Sequence, residues 1–158
     1  MKRLWAPWRM QFVENIDPTP NCVFCKMLSQ EDDEKNFLIY RGKFAFAVLN
    51  LYPYTSGHML IVANDHVPSL EDLDNMTRGE MMELATKAIR VLRKVYSPDA
   101  FNMGTNIGEA AGAGIVDHVH MHVVPRWNGD TSFISALGNT RVLPENLEET
   151  YQRVITAW

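Results

Sequence analysis

The sequence predicts an α+β domain, an antiparallel sheet with one long helix laid across it. Two observations predict this. Short runs rich in β-branched and aromatic residues follow one another with only brief turns between them, the pattern of antiparallel pairing. One extended stretch, residues 77–96, instead repeats its apolar residues at helical spacing. A length of 158 residues suits one domain with a substantial core.

Residues 1–21 place Trp5, Trp8 and Phe12 ahead of Asp17-Pro18-Thr19-Pro20 with no periodic pattern. They read as an extended arm that lays its aromatics on the domain or on a second subunit; a disordered tail is the alternative. Cys22-Val23-Phe24-Cys25 follows. Alone, such a pair fits a metal knuckle, a redox couple or two unrelated thiols. The redox reading expects a strand-to-helix junction, and no such pattern follows. Residues 26–36 read as a short helix breaking into a solvated acidic turn, Glu31-Asp32-Asp33-Glu34.

Residues 37–40 and 44–49 are expected as strands about the turn Arg41-Gly42-Lys43, and 58–62 as a third strand after Ser56-Gly57. In the long helix, Thr77 and Glu80 form a capping-box pattern. Met81, Ala85, Ala88, Leu92 and Val95 make its core stripe, and Ser97-Pro98 ends it. Residues 100–107 read as a fourth strand leading into Gly108-Glu109-Ala110-Ala111-Gly112-Ala113-Gly114. Glycines there permit close approach to a ligand, and the loop's amides suit an anion-binding nest. Residues 128–143 show no clear period, and 144–158 read as a last helix with Leu147, Tyr151 and Val154 on one side. No repeat or linker divides the chain. Residues 1–158 are therefore expected to be one domain, with 1–21 as an N-terminal arm and 128–158 as a C-terminal extension.

The most informative stretch is Asp117-His118-Val119-His120-Met121-His122-Val123-Val124, which holds three of the five histidines. Strict alternation with apolar and β-branched residues reads as a fifth strand. In a strand, residues i and i+2 share a face about 6.6–6.8 Å apart, so the three imidazoles stand in a row. On a helix, steps of two would turn each ring by roughly 200° and scatter them. Rings that titrate near neutrality suit a phosphate chain, a metal, or both. The plainer reading is a strand with surface histidines. Three on one face, followed by Pro125-Arg126-Trp127, speak against it.

Composition sets limits. A hydrophobic share of 46% with 22% charged residues is ordinary for a globular protein, and a net charge of −4 argues against non-specific nucleic-acid binding. Any anionic ligand must be held locally, by histidines and backbone amides. No apolar run reaches membrane-spanning length. The basic start lacks the hydrophobic segment of a signal peptide, and two cysteines match a reducing compartment. A cytoplasmic protein that binds neither nucleic acid nor membrane is expected.

Two sites can be built from the remaining residues. Cys22, Cys25, His66 and one triad histidine make a set of two thiolates and two imidazoles, which tetrahedral zinc accepts as a closed structural site. The other histidines and the glycine-loop amides would then face a phosphoryl group. An imidazole attacks phosphorus when it is neutral, its lone pair turned to the target and its other nitrogen bonded to an acceptor, most simply a backbone carbonyl. A catalytic zinc on three histidines is the competing reading. A flat row whose outer members stand some 13 Å apart converges badly on one ion.

The run from His118 to Val124 resembles the His-φ-His-φ-His-φ-φ signature of the histidine triad (HIT) superfamily of nucleotide hydrolases and transferases. The likeness extends over Cys22-x-x-Cys25, Leu49-Asn50, Gly57-His58-Met59-Leu60-Ile61 and His66. Leu4-Trp5-Ala6-Pro7-Trp8-Arg9-Met10 and Pro125-Arg126-Trp127-Asn128-Gly129-Asp130-Thr131-Ser132-Phe133 are similar to the bacterial branch that includes diadenosine tetraphosphate phosphorylases.

This resemblance implies a HIT-like fold with a five-stranded antiparallel sheet, and a homodimer that joins two sheets, sometimes assembled further into a tetramer. It implies cleavage of dinucleoside polyphosphates, adenine nucleotides foremost, at the α-phosphate. Of the triad His118, His120 and His122, the middle residue His120 is expected to form a covalent nucleotidyl-histidine. His122 and His58 complete the cluster at the phosphates, Asn50 binds the ribose, and Asn106 lies near the phosphates. His118 with Cys22, Cys25 and His66 matches a structural zinc site; no organic cofactor is implied. Many relatives carry Gly-Gln-Ser/Thr-Val before the triad where this chain has Gly112-Ala113-Gly114-Ile115-Val116. Backbone amides, chiefly that of Gly114, would have to replace the missing side chains, which favours the phosphorylase-like branch. With water as second acceptor the product is AMP; with inorganic phosphate it is ADP. The alternatives are hydrolysis of nucleoside phosphoramidates or other nucleotide conjugates, and a non-catalytic protein whose triad only senses a nucleotide.

Overall fold

Five strands form one antiparallel sheet in the order β1–β2–β3–β5–β4. They are β1 (Leu38–Arg41), β2 (Ala45–Leu49), β3 (Met59–Ala63), β4 (Ala100–Thr105) and β5 (His120–Arg126). Among the described residues, three α-helices accompany the sheet in an α+β architecture: α1 (Val23–Ser29), α2 (Asn75–Tyr96) and α3 (Leu147–Ala157). This computed structural model describes residues 22–130 and 144–158. The expected arm at 1–21, and residues 131–143 of the expected extension, lie outside the described residues. No described helix is long and apolar enough to cross a membrane.

Both faces of the central strands are covered, which is why β2 and β3 read as near-continuous apolar runs. On one face Ala45, Ala47, Leu49, Met59, Ile61, Ala63, Met121 and Val123 pack against Met81, Ala85, Ala88 and Leu92 of α2 and Tyr151 and Val154 of α3. Alanines on both sides of that contact bring α2 close to the sheet. On the other face Phe46, Val48, Leu60 and Val62 meet Phe24 and Met27 of α1. The pairings Leu60↔His122 and Val62↔His120 put both histidines on this second face.

Arg41 anchors α1 there. Its guanidinium donates to the carbonyls of Met27 (3.1 Å), Leu28 (2.9 Å) and Gln30 (2.5 Å) at the end of α1 and pairs with Asp33 at 2.6 Å. Carbonyls at a helix C-terminus lack helical partners and favour a cation. The acidic turn is therefore not simply solvated: Asp33 holds Arg41 in place.

Several boundaries differ from the sequence reading. The helix α1 starts at Val23, not after Cys25, so Cys25 rides on its first turn. The long helix starts at Asn75, capped by Asp74, whose carboxylate accepts from the Thr77 amide at 2.7 Å. Glu80 makes no capping box. It reaches instead to the β1–β2 turn and accepts from the amides of Lys43 (3.1 Å), Phe44 and Ala45 (2.9 Å). Three converging donors outcompete the single one a capping box would supply. A Cβ at Gly42 would stand 2.5 Å from the Ala45 carbonyl oxygen and 2.8 Å from Glu80 Oε1, so this close approach requires glycine.

The third difference concerns β5. The strand begins at His120, not before His118. The Val119 amide bonds to the Val67 carbonyl at 2.8 Å, so the chain at this point has left β3 for the loop beyond it. Similarly β4 ends at Thr105, two residues before position 107. Replacing Glu80 with alanine strands three amides at the β1–β2 turn. The Glu80→Ala variant is expected to lose about 2–3 kcal/mol of stability, read as a lowered urea midpoint with an unchanged slope.

Candidate active site and metal centre

The two histidines of β5 are oriented by partners of opposite character. His120 Nδ1 lies 2.9 Å from the His118 carbonyl oxygen. A carbonyl only accepts, so His120 carries its proton on Nδ1 and leaves the Nε2 lone pair unbonded to hydrogen. The ring is 5% exposed. Burial pushes its pKa below the ordinary imidazole value, opposed by the bond to the His118 carbonyl, so the neutral form prevails near pH 7.

His122 is set the other way. At the start of its chain of contacts, the Tyr54 backbone N–H donates to His58 Nδ1 at 3.1 Å, and the Asn50 side-chain amide lies 3.3 Å from the same nitrogen. With Nδ1 accepting, His58 carries its proton on Nε2, which lies 2.9 Å from His122 Nδ1. His122 therefore accepts at Nδ1, and in its neutral form carries the proton on Nε2. The His120 and His122 rings are 5.1 Å apart between centroids. Adjacent imidazoles thus present a lone pair and an N–H side by side. Tyr54 stacks on His122, centroids 6.0 Å apart and planes within 11°.

The outermost triad histidine belongs to a different cluster. His118 does not stand in a row with the other two, because position 118 lies outside the sheet. Its Nδ1 is 3.2 Å from Cys22 Sγ, 3.7 Å from Cys25 Sγ and 3.2 Å from His66 Nδ1, and Cys25 Sγ is 3.3 Å from His66 Nδ1. All four ligand atoms lie within 4.8 Å of one another. Ligands bound at about 2.0–2.3 Å around a tetrahedral ion stand about 3.3–3.8 Å apart, close to the four separations of 3.2–3.7 Å given above. His118 Nε2 donates to the Ala63 carbonyl at 2.8 Å, which turns the unprotonated Nδ1 inward as metal-bound imidazoles require. Burial, and then the neighbouring Cys22, raise the Cys25 thiol pKa; a cation at the centre would reverse this. This set of residues can hold a metal. With four protein ligands it is closed, and a site built on His118, His120 and His122 together does not form.

Of the remaining expected residues, Asn50 contacts His58 and Asn106 lines one cleft with His122. Asn50 follows β2, beside His58, with its Oδ1 accepting from the Tyr52 amide at 3.0 Å. Asn106 follows β4, its amide 3.5 Å from the Gly112 carbonyl. The glycine loop is a narrower nest than the sequence implies. The amides of Ala111 and Ala113 bond to the Gly108 carbonyl and that of Gly112 to Glu109, while Gly108 and Gly112 take left-handed φ values of 81° and 83°. The Gly114 amide is not among those internal bonds.

Phe24 was missed in the sequence because, between two cysteines, it read as a spacer. Its ring, 2% exposed, packs 5.3 Å from His118 and 5.1 Å from His120 between centroids.

The family model described as the HIT domain matches residues 31–129. The chain belongs to the HIT family. It is 40% identical, over 100% of its own length and 85% of the relative's, to a protein from Mycobacterium tuberculosis named AP-4-A phosphorylase, and it falls in the branch that resembles that protein. A Schizosaccharomyces pombe protein named bis(5'-nucleosyl)-tetraphosphatase [asymmetrical] is 37% identical over 60% of this HIT-family chain and 52% of its own. Among solved structures, a Zn-bound histidine triad family protein from Mycobacterium smegmatis superposes with a TM-score of 0.70 at 32% identity, covering 87% of this chain and 92% of that one.

The four-ligand geometry has a direct consequence. Elemental mass spectrometry of the protein isolated without chelator is expected to find one equivalent of a divalent metal per chain, and Cys25→Ala to lose it. A full equivalent retained by that variant would place the metal elsewhere.

Proposed function

We propose that this HIT-family enzyme cleaves dinucleoside polyphosphates of the diadenosine tetraphosphate kind at the α-phosphate, through a nucleotidyl group carried on His120. The observation that carries the proposal is the pairing of a lone pair on His120 Nε2 with an N–H on His122 Nε2, set by the His118 carbonyl and His58. The His120 Nε2–phosphorus bond forms as the bond to the leaving polyphosphate oxygen breaks. Positive charge developing on the His120 ring is met by the His118 carbonyl at Nδ1, and negative charge on the phosphoryl and leaving oxygens by the His122 N–H. Asn50 is suited to the ribose hydroxyls, and the Asn106 side chain and Gly114 amide to the phosphate oxygens.

A second acceptor then takes the nucleotide and restores His120. Inorganic phosphate is the acceptor supported by the similarity to a protein named AP-4-A phosphorylase, and it yields ADP. The Cys22, Cys25, His66 and His118 set is suited to zinc, a fixed and redox-inert anchor for the segment that carries the His118 carbonyl. The reading includes a cytoplasmic homodimer formed from single-domain chains. Strand β4 lies at the sheet's edge with most of its residues exposed, which supports pairing with a second copy.

Incubation with diadenosine tetraphosphate, with and without phosphate, tests the acceptor. ADP that forms only when phosphate is present is expected; AMP formed without phosphate would overturn the phosphorylase assignment. The His120→Ala variant is expected to lose at least about 10³-fold in kcat while still binding nucleotide by calorimetry. Undiminished turnover would remove His120 from the chemistry.

A further inference from the structure

A cleft over β4 and β5 begins at His122 and Asn106, which the proposed chemistry uses, and extends along the two strands to Arg126, which it does not use. The register of β4 on β5 sets Gly104 opposite His122, Asn102 opposite Val124 and Ala100 opposite Arg126. One face therefore carries His122, Gly104, Asn102 and Arg126, over about 13 Å of strand. The cleft above them has a volume of about 390 Å³, within the range of small-molecule sites. Tyr54 and Thr55 form its wall, and Thr55 Oγ1 is tied to the Pro125 carbonyl at 2.8 Å.

Two features indicate what fits. The first is Gly104, inside a strand, where glycine costs about 0.5–1 kcal/mol relative to alanine. Its φ is not left-handed and an added Cβ would meet no atom of the described residues within 4 Å, so neither its backbone conformation nor packing among those residues requires it. What its absent side chain provides is a level floor beside His122, on which a ligand can lie against the backbone. The second feature is Arg126. Its Nε and Nη2 donate to Asp130 at 2.6 and 2.7 Å, and its Nη1 to Asn102 Oδ1 at 2.5 Å. The guanidinium is neutralised where it stands, and the Asn102 amide keeps its NH2 as a donor. This end of the cleft offers donors and a carboxylate without net charge, which suits sugar hydroxyls and a base edge and not a terminal phosphate.

We infer that the cleft binds the nucleoside end of the leaving group, the second sugar and base of a dinucleoside polyphosphate, with the intervening phosphates passing over Gly104. The inference rests on the proposed function and adds the half of the substrate that His120 does not attack.

The test compares two substrates that share the attacked phosphate. Diadenosine tetraphosphate extends into the cleft; adenosine 5′-phosphosulfate, whose leaving group is only sulfate, does not. In Gly104→Val and in Asn102→Ala, kcat/KM for the dinucleotide is expected to fall about tenfold or more, while that for the phosphosulfate stays within about threefold. Thermal melts check that both variants fold; valine is well suited to a strand, and Asn102→Ala removes no packing at Gly104. Equal losses on both substrates, or none on either, overturn the inference. A parent protein that cleaves the phosphosulfate but not the dinucleotide overturns the subsite and spares the histidine chemistry. One that cleaves neither overturns the function on which the subsite rests.

Discussion

The hydrogen bond from His120 Nδ1 to the His118 carbonyl is the constraint on which the rest of the site depends. It selects the tautomer, and the tautomer decides whether His120 offers a lone pair or a proton. The bond exists because the chain leaves the sheet at position 118. Inside a strand, that carbonyl would be committed to the ladder, as nearly all buried backbone acceptors are. Instead the pairing of β5 with β3 stops at Val62↔His120, and the next amide toward the N-terminus goes to the Val67 carbonyl.

His118 itself is then pinned from several directions. Its Nε2 bonds to the Ala63 carbonyl, and its Nδ1 enters the cluster with Cys22, Cys25 and His66. Phe24, carried between the two cysteines, fills the space against both His118 and His120. Arg41 in turn holds the end of α1 down through three carbonyls. The residues that could hold a metal and the His120 ring are thus separate clusters joined in structure through one residue's main chain and one buried aromatic ring. An extensively covered sheet provides the rigid base this needs, since a site on mobile loops would not keep two rings in fixed and opposite tautomers.

Much of this was legible in the sequence, and the failures have physical causes. The strands, the long helix, the pairing of histidines along β5 and the gathering of two cysteines with two histidines follow from periodicity and ligand chemistry. The break at His118 does not, because apolar alternation continues through Val119 after the neighbouring strand has run out; periodicity reports burial, not where the ladder ends. Thr77 and Glu80 matched a local capping pattern, yet Asp74 caps the helix and Glu80 serves a turn more than thirty residues away in sequence. Tertiary donors decided that, and no local window contains them. The glycine loop's amides were counted as available when three of them close the loop upon itself. In the sequence Arg126 stands out only within the Pro125-Arg126-Trp127 that follows the triad; that Asp130 neutralises it and Asn102 fixes it depends on the turn after β5 and on strand register.

His120 and His122 are chemically identical side chains two residues apart, and their hydrogen-bond partners turn a lone pair outward on the Nε2 of one and a proton on the Nε2 of the other. Nitrogen-15 NMR of the histidine rings near neutral pH reads this difference directly. His120 should show a protonated Nδ1 and a bare, pyridine-type Nε2, with His122 showing the reverse. A His120 ring protonated at Nε2 would contradict the site as described, because no lone pair would then face a bound nucleotide.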